Sequence, residues 1–163
     1  MPDLLWTEVK NFFDPHLMGA LPDLWVPDTS VEDWQAVFDL IQSSGWACEY
    51  REGDSVCPLP AAAEVLPRPA DAECVLLRVG PVPSVTVNFY PMSATEIDFD
   101  VDLRELQGQV GVDTLCDFVS ALGRRLNRPV FMGAEGQYGY PLLGFDPAAD
   151  RVVLFADPVD PGA

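Results

Sequence analysis

Between residues 96 and 103 the chain reads Glu-Ile-Asp-Phe-Asp-Val-Asp-Leu, a strict alternation of acidic and apolar side chains. Only an extended strand gives that pattern a physical purpose, because alternate side chains then point to opposite faces. Glu96, Asp98, Asp100 and Asp102 line one face, while Ile97, Phe99, Val101 and Leu103 anchor the other in a core. Same-face neighbours on a strand lie roughly 7 Å apart, where two carboxylates repel by about 0.6 kcal/mol in water. Three neighbouring pairs make a cost of order 2 kcal/mol, which a cation, a basic partner or nearby arginines would offset. The chain must therefore contain a sheet with one apolar and one electrostatic face.

The strand has company. Residues 74–79 and 85–90 are strand-like, and turn segments at 80–84 and 91–94 join them to 96–103 as an antiparallel meander. Three more short strands, 130–134, 140–145 and 151–156, form a second meander, the last two joined by the hairpin loop 146–150. A strand at 46–51 runs into a turn at Glu52-Gly53-Asp54. Two clear helices accompany the strands. Thr29 and Glu32 have capping-box spacing, Val31, Trp34, Val37, Phe38 and Ile41 share one helical face, and Gly45 closes the segment. From about 112 to 126, Val112, Leu115, Phe118, Val119, Leu122 and Leu126 form a second apolar stripe, and Arg124 and Arg125 suit its negative end.

Residues 4–13 predict a short helix ended by Asp14-Pro15, and 17–27, broken by Gly19, Pro22 and Pro27, reads as irregular. Residues 58–69 form a proline-rich connector in which 61–66 has room for one helical turn, and residues 157–163 read as a frayed tail. At 163 residues the expected architecture is one α+β domain over 1–163: a mainly antiparallel sheet from two three-stranded meanders, with two principal helices packed on it. Trp6, Trp25, Trp34 and Trp46 are expected in or near the core, Trp25 as a buried staple between prolines.

The formal charge of −17 excludes nucleic acid as a natural partner, because affinity for a polyanion comes largely from Lys and Arg. It favours a basic protein partner or simply high solubility. The segment Met1–Trp6 lacks the features of a secretory leader, and no apolar run approaches the ~20 residues needed to span a bilayer. The expected location is the cytoplasm, without membrane association. Cys48, Cys57, Cys74 and Cys116 have no zinc-like spacing, so buried free thiols are expected in that compartment.

The acidic strand admits three uses. As a calcium loop, Asp98, Asp100 and Asp102 match ligand positions 1, 3 and 5, but position 6 is Leu103 where the turn needs Gly, and position 12 is Gln109 where it needs Glu. A metal-dependent hydrolase using Glu96, Asp98, Asp100 and Asp102 is a second use, although a straight strand spreads its acids too widely for one ion. The third is a docking face for a cationic protein. Sequential pairing of the meander puts Arg78, Thr86, Asn88 and Tyr90 on the same face, and the glycine-rich loop 133–141 presents Tyr138 and Tyr140. The expected partner-binding set is Glu96, Asp98, Asp100, Asp102, Tyr90, Asn88 and Tyr138. The bland alternative is an ordinary solvated face, partly neutralised by Arg78 and Arg104.

No catalytic set, cofactor or metal ligand set is expected. His16 is the only histidine, it follows Asp14-Pro15, and no G-x-S-x-G elbow is present. Gly133, Gly136 and Gly139 match neither the dinucleotide nor the phosphate-loop pattern. Arg124, Arg125 and Arg128 are explained by their place at a helix end.

The helix 115–126, continued by Gly123-Arg-Arg-Leu-Asn-Arg-Pro-Val, then Glu135-Gly and Pro141-Leu-Leu-Gly-Phe-Asp, resembles small bacterial immunity proteins that neutralise polymorphic toxins. The likeness is confined to this helix-cap-and-hairpin stretch. It implies a stoichiometric, non-catalytic inhibitor whose acidic surface plugs a basic toxin domain, with no catalytic residues to carry over. A regulatory or chaperone-like adaptor of the same cell stays open beside it. Four aligned acids on an exposed edge strand would resist edge-to-edge association, so a monomer is expected.

Overall fold

The acidic strand forms where its alternation requires it, as β6 (Glu96–Val101), with Ile97, Phe99 and Val101 buried and Glu96, Asp98 and Asp100 half-buried on the other side. In the computed structural model, which describes residues 1–158, nine strands form one antiparallel sheet. They are β1 (Asp23–Pro27), β2 (Ala47–Glu52), β3 (Ser55–Cys57), β4 (Val75–Val82), β5 (Val85–Phe89), β6, β7 (Val130–Gly133), β8 (Leu143–Asp146) and β9 (Arg151–Leu154). Their order is β3-β2-β4-β5-β6-β1-β7-β8-β9. Both expected meanders are present, β4-β5-β6 and β7-β8-β9, and β1 welds them into a continuous sheet.

β1 overturns the irregular reading of residues 17–27. Pro22 and Pro27 flank Leu24-Trp25-Val26 and leave these three free to pair, and all three are buried. The position of β6 also removes the premise for a monomer drawn from an exposed acidic edge. β6 lies between β5 and β1, and the edges are β3 and β9. At the β9 edge the Val152 N–H donates to Asp3 Oδ2 at 2.9 Å, so the N-terminal segment occupies one of the strand's open donors.

One face of the sheet carries the long helices α3 (Val31–Ser43) and α5 (Gly108–Leu126); α1 (Trp6–Val9), α2 (Pro15–Met18) and α4 (Ala62–Val65) are the short ones among the described residues. α3 buries Trp34, Val37, Phe38 and Ile41, as its periodicity demands. Its cap is displaced by one residue from the expected Thr29 and Glu32. Ser30 and Asp33 close the box, because the Thr29 hydroxyl donates to Ala94 O and its N–H to Thr95 O. Gly45 takes a positive φ of 72° as the helix ends, where a side chain would be strained.

α5 begins at Gly108, a full turn before the expected 112, and ends at Asn127 in the left-handed conformation. Its Phe118 ring lies 6.1 Å from both Phe89 and Phe99, which stack at 4.8 Å, while Trp34 of α3 meets Phe89 edge-on at 6.4 Å. This aromatic knot fixes the apolar side of β5 and β6 and forces their alternate residues outward.

β3 is a short hairpin partner of β2 that the polar run 52–57 does not announce. All four cysteines are free thiols, but Cys48 and Cys74 are exposed, which corrects the expectation that all four are buried. Desolvation holds the thiol of the buried Cys116 up at about 12. The expected frayed tail 157–163 falls outside the described residues beyond 158. No helix among the described residues is long and apolar enough to cross a membrane.

Candidate functional site

Strand register sorts the face away from the long helices into rows. Glu49, Arg78, Asn88, Asp100 and Asp23 are successive cross-strand partners from β2 through β1, and Gly133 of β7 follows. One pair along β6 and β1, Asp98 faces Trp25, which faces Phe131 and then Gly144. The acidic strand thus lies along the seam between a polar half-sheet and an aromatic half-sheet.

Each carboxylate of β6 has a different fate. Asp100 is fully engaged, Oδ1 accepting from Asn88 Nδ2 at 3.0 Å and Oδ2 from the Tyr90 hydroxyl at 2.7 Å. Desolvation and the Asp100 charge push the Tyr90 phenol well above its ordinary value, so it stays a donor. Asp102 turns away from the row to cap the following 3-10 turn, 103–105. It accepts from the Arg104 backbone and guanidinium, at 3.0 Å and 2.7 Å, and these bonds hold its carboxyl below the usual range.

Asp98 and Glu96 are the exception. Neither carboxylate accepts a hydrogen bond or meets a basic group among the described residues. Partial burial and then the nearby Asp23 charge push Asp98 above its ordinary value. Burial, Asp98 and Asp28 do the same to Glu96. Arg78 does not neutralise this strand as expected. Its Nε reaches Asn88 Oδ1 at 3.5 Å and its Nη1 lies 3.8 Å from Glu49.

The loop after β7 completes the site. Asp23 Oδ2 accepts from the Gly136 N–H at 3.1 Å, which pins the loop against β1. The Tyr138 ring then lies over Trp25, centroids 4.8 Å apart and tilted by 38°. Trp25 is 5% exposed beneath it, whereas Tyr138 is 47% exposed. Phe131 lies 5.8 Å from Trp25 and 5.5 Å from Phe155 and extends the aromatic patch. Between the loop and the strands is a concavity of about 320 Å³ walled by Asp23, Tyr90, Glu96, Asp98, Asp100 and Tyr138.

Of the seven residues expected to form a binding set, the structure brings Glu96, Asp98, Asp100, Tyr90 and Tyr138 to this one concavity. Asn88 stands one strand away and braces Asp100, and Asp102 is drawn off by Arg104. Sequence reasoning missed Asp23 and the neighbouring Trp25, because the strand that carries them was read as irregular. The signal was present: Asp-Leu-Trp-Val between two prolines is a short apolar run with strand propensity.

The arrangement offers a cation two uncompensated, half-desolvated carboxylates and a tyrosine face. Among the described residues no group of three or more His, Cys, Asp or Glu side chains is arranged to hold a metal ion. His16 is exposed, and its N–H caps back to Asp14 Oδ1 at 2.8 Å. A scan against protein-family models, a search of curated proteins and a search of solved structures found no match to this chain.

Proposed function

We propose that this protein is a non-catalytic binding module that docks a cationic protein through the acidic seam of its sheet, in the manner of an immunity-type inhibitor acting on a basic toxin domain in the cytoplasm. The observation that carries the reading is the state of Asp98 and Glu96: partly buried, mutually repelling and without a basic or hydrogen-bonding partner. A fold keeps such a pair at a cost, and a positively charged surface laid across it removes that cost. The half-exposed ring of Tyr138 beside the acids, with the exposed Tyr140 on the same loop, supplies the aromatic contact area that protein interfaces favour. The overall charge of −17 speeds the encounter with a basic partner.

The test is capture on the tagged full chain from its own cells, eluted with rising salt, with wild type compared to a triple Asp98→Asn, Asp100→Asn, Asp102→Asn variant. A single basic protein that salt releases and the triple variant fails to retain supports the reading. If that protein is encoded beside this chain and arrests growth when expressed alone, the partner is a toxin. Housekeeping partners would make the chain an adaptor. Equal retention by both forms, with the same salt dependence, overturns the acidic seam as the docking surface.

A further inference from the structure

We infer that the concavity between β6, β1 and the loop 134–141 is a receptor for a single arginine side chain of the partner, an inference that rests on the docking reading and names its anchor. Three features converge there, and only one of them is charge. The space, about 320 Å³, is at the low end of ligand clefts, so it accepts one side chain and not a peptide or a polymer. Its floor holds Asp98 and Glu96, which lack partners, while the other two acids already have them. Asp100 is held by Asn88 and Tyr90, and Asp23 by the Gly136 amide. Its side is the half-exposed face of Tyr138, kept in place by stacking on the buried Trp25.

Arginine fits this chemistry better than lysine for physical reasons. A guanidinium is planar, weakly hydrated and able to bond a carboxylate with two parallel N–H groups while its face lies on an aromatic ring. An ammonium is a compact, strongly hydrated charge and loses more water on entering a half-buried site. The fixed tyrosine wall rewards the flat group in particular. The geometry assigns Asp98 to the bidentate contact, Tyr138 to the stacking surface and Tyr90 to holding Asp100 out of the exchange, so that the cation meets only the unpaired acids.

The test is a titration of the isotope-labelled full chain with N-acetyl-arginine amide, followed by amide and indole NMR signals. The parallel probes are the lysine amide and the neutral, near-isosteric citrulline amide. The expected result is saturable movement of the Trp25 indole and of amides in 96–100 and 136–139, with citrulline silent and lysine weaker. Asp98→Asn should weaken arginine by about tenfold, the loss of one charge-assisted hydrogen-bond partner. Tyr138→Ala should weaken it by about threefold, the scale of an exposed cation–π contact. Asp98→Asn leaves the apolar core untouched, and Tyr138→Ala uncovers only the Trp25 indole, so each affinity is read against that variant's own ligand-free spectrum. Equal response to arginine and lysine, movement spread over the whole acidic surface, or an unaltered affinity in Tyr138→Ala overturns the inference. The outcomes separate the two readings. A captured basic protein that depends on Asp98 while the arginine amide leaves the pocket signals unmoved keeps docking and removes the arginine receptor. Arginine binding without any salt-released basic partner does the reverse.

Discussion

The ring of Tyr138 lies 4.8 Å from that of Trp25, and it does so from a loop that one hydrogen bond, Gly136 N–H to Asp23 Oδ2, ties to the sheet. A large aromatic residue on the face away from the long helices is thereby brought to 5% exposure without a helix to cover it. Removing the cover should uncover the indole and leave the rest of the core intact. Tyr138→Ala is expected to cost about 0.5–1.5 kcal/mol, the scale of an aromatic pair, because Tyr138 itself is half-exposed. The Trp25 contribution to fluorescence, obtained by difference against Trp25→Phe, should shift to the red and become more quenchable by acrylamide. Trp25→Ala should be far worse, about 3–5 kcal/mol.

The unpaired Asp98 makes a prediction with a definite sign. Its folded-state pKa is raised, first by burial and then by Asp23, so the folded protein holds this proton more tightly than the unfolded chain. Stability from the group is therefore fully present below its ordinary value of 3.8 and is lost as pH rises through the raised folded value. Asp98→Asn, which keeps the shape without the charge, should stabilise the protein at pH 7 by about 0.5–1 kcal/mol, one relieved carboxylate repulsion. For a domain of this length that is about 1–4 °C in Tm. The gain should shrink towards zero near pH 4. Asp102→Asn should behave oppositely, because Arg104 lowers its pKa and its contribution is present at neutral pH and lost on acidification. Thermal melts of the two variants from pH 4 to 8 check both signs.

A substitution on the helix-covered face separates packing from site chemistry. Gly123 lies on the buried face of α5, where a Cβ would run into the Phe145 ring of β8. The Arg124 guanidinium of the same helix lies over the Phe145 ring, 5.7 Å from its centre. Gly123→Ala should cost about 1–3 kcal/mol by overpacking, although alanine is the better helix former. Urea unfolding measures it. Phe145→Leu should recover part of the loss when combined with Gly123→Ala, and arginine-amide binding should be unchanged in both.

What the sequence made legible follows from which interactions are local. The alternation of 96–103 and the stripes of 31–41 and 112–126 are set by periodicities of two and 3.6, and each strand or helix appears with the buried face that its pattern dictates. Glu96, Asp98 and Asp100 lie on one face for the same reason, and Asp102 falls just past the strand's end. Their fates differ through partners that periodicity does not encode: Arg104 two residues on claims Asp102, whereas Asn88 and Tyr90 from the preceding strand claim Asp100. The start of α5 is hidden by two poor helix formers, Gly108, which takes a positive φ of 74°, and Gly111, where a Cβ would run into the Leu106 backbone.

β1 is the instructive miss. The four residues between Pro22 and Pro27 carry no alternation, because Leu24, Trp25 and Val26 are covered on both sides. That covering comes from the helices on one face and, more than a hundred residues later in the chain, from Tyr138 on the other. A strand buried on both faces reads as an apolar run, and a short one is indistinguishable from a loop until its partners are placed. The concavity inherits the same opacity, since Asp23 and the Tyr138 wall enter it only through this long-range pairing.

The last prediction concerns the joint that fixes α3 against α5. Asp33 Oδ2 accepts from the Ser30 N–H at 3.1 Å and from Arg128 Nε at 3.2 Å, so one carboxylate closes the cap of α3 and receives the residue that follows α5. The two roles differ in cost. The return bond of the box, from the Ser30 N–H to Asp33, is worth about 0.5–1.5 kcal/mol, Ser30 itself remaining as the N-cap, whereas an ion pair with partly exposed partners is worth about 0–1 kcal/mol. Asp33→Ala should therefore destabilise more than Arg128→Ala. Asp33→Ser keeps a short acceptor at this position but cannot serve both donors, and should fall between them. A double-mutant cycle of Asp33→Ala with Arg128→Ala should give a coupling of under about 1 kcal/mol that fades in high salt. A coupling that equals the whole cost of Asp33→Ala would make the ion pair, and not the cap, the element that holds the helix start.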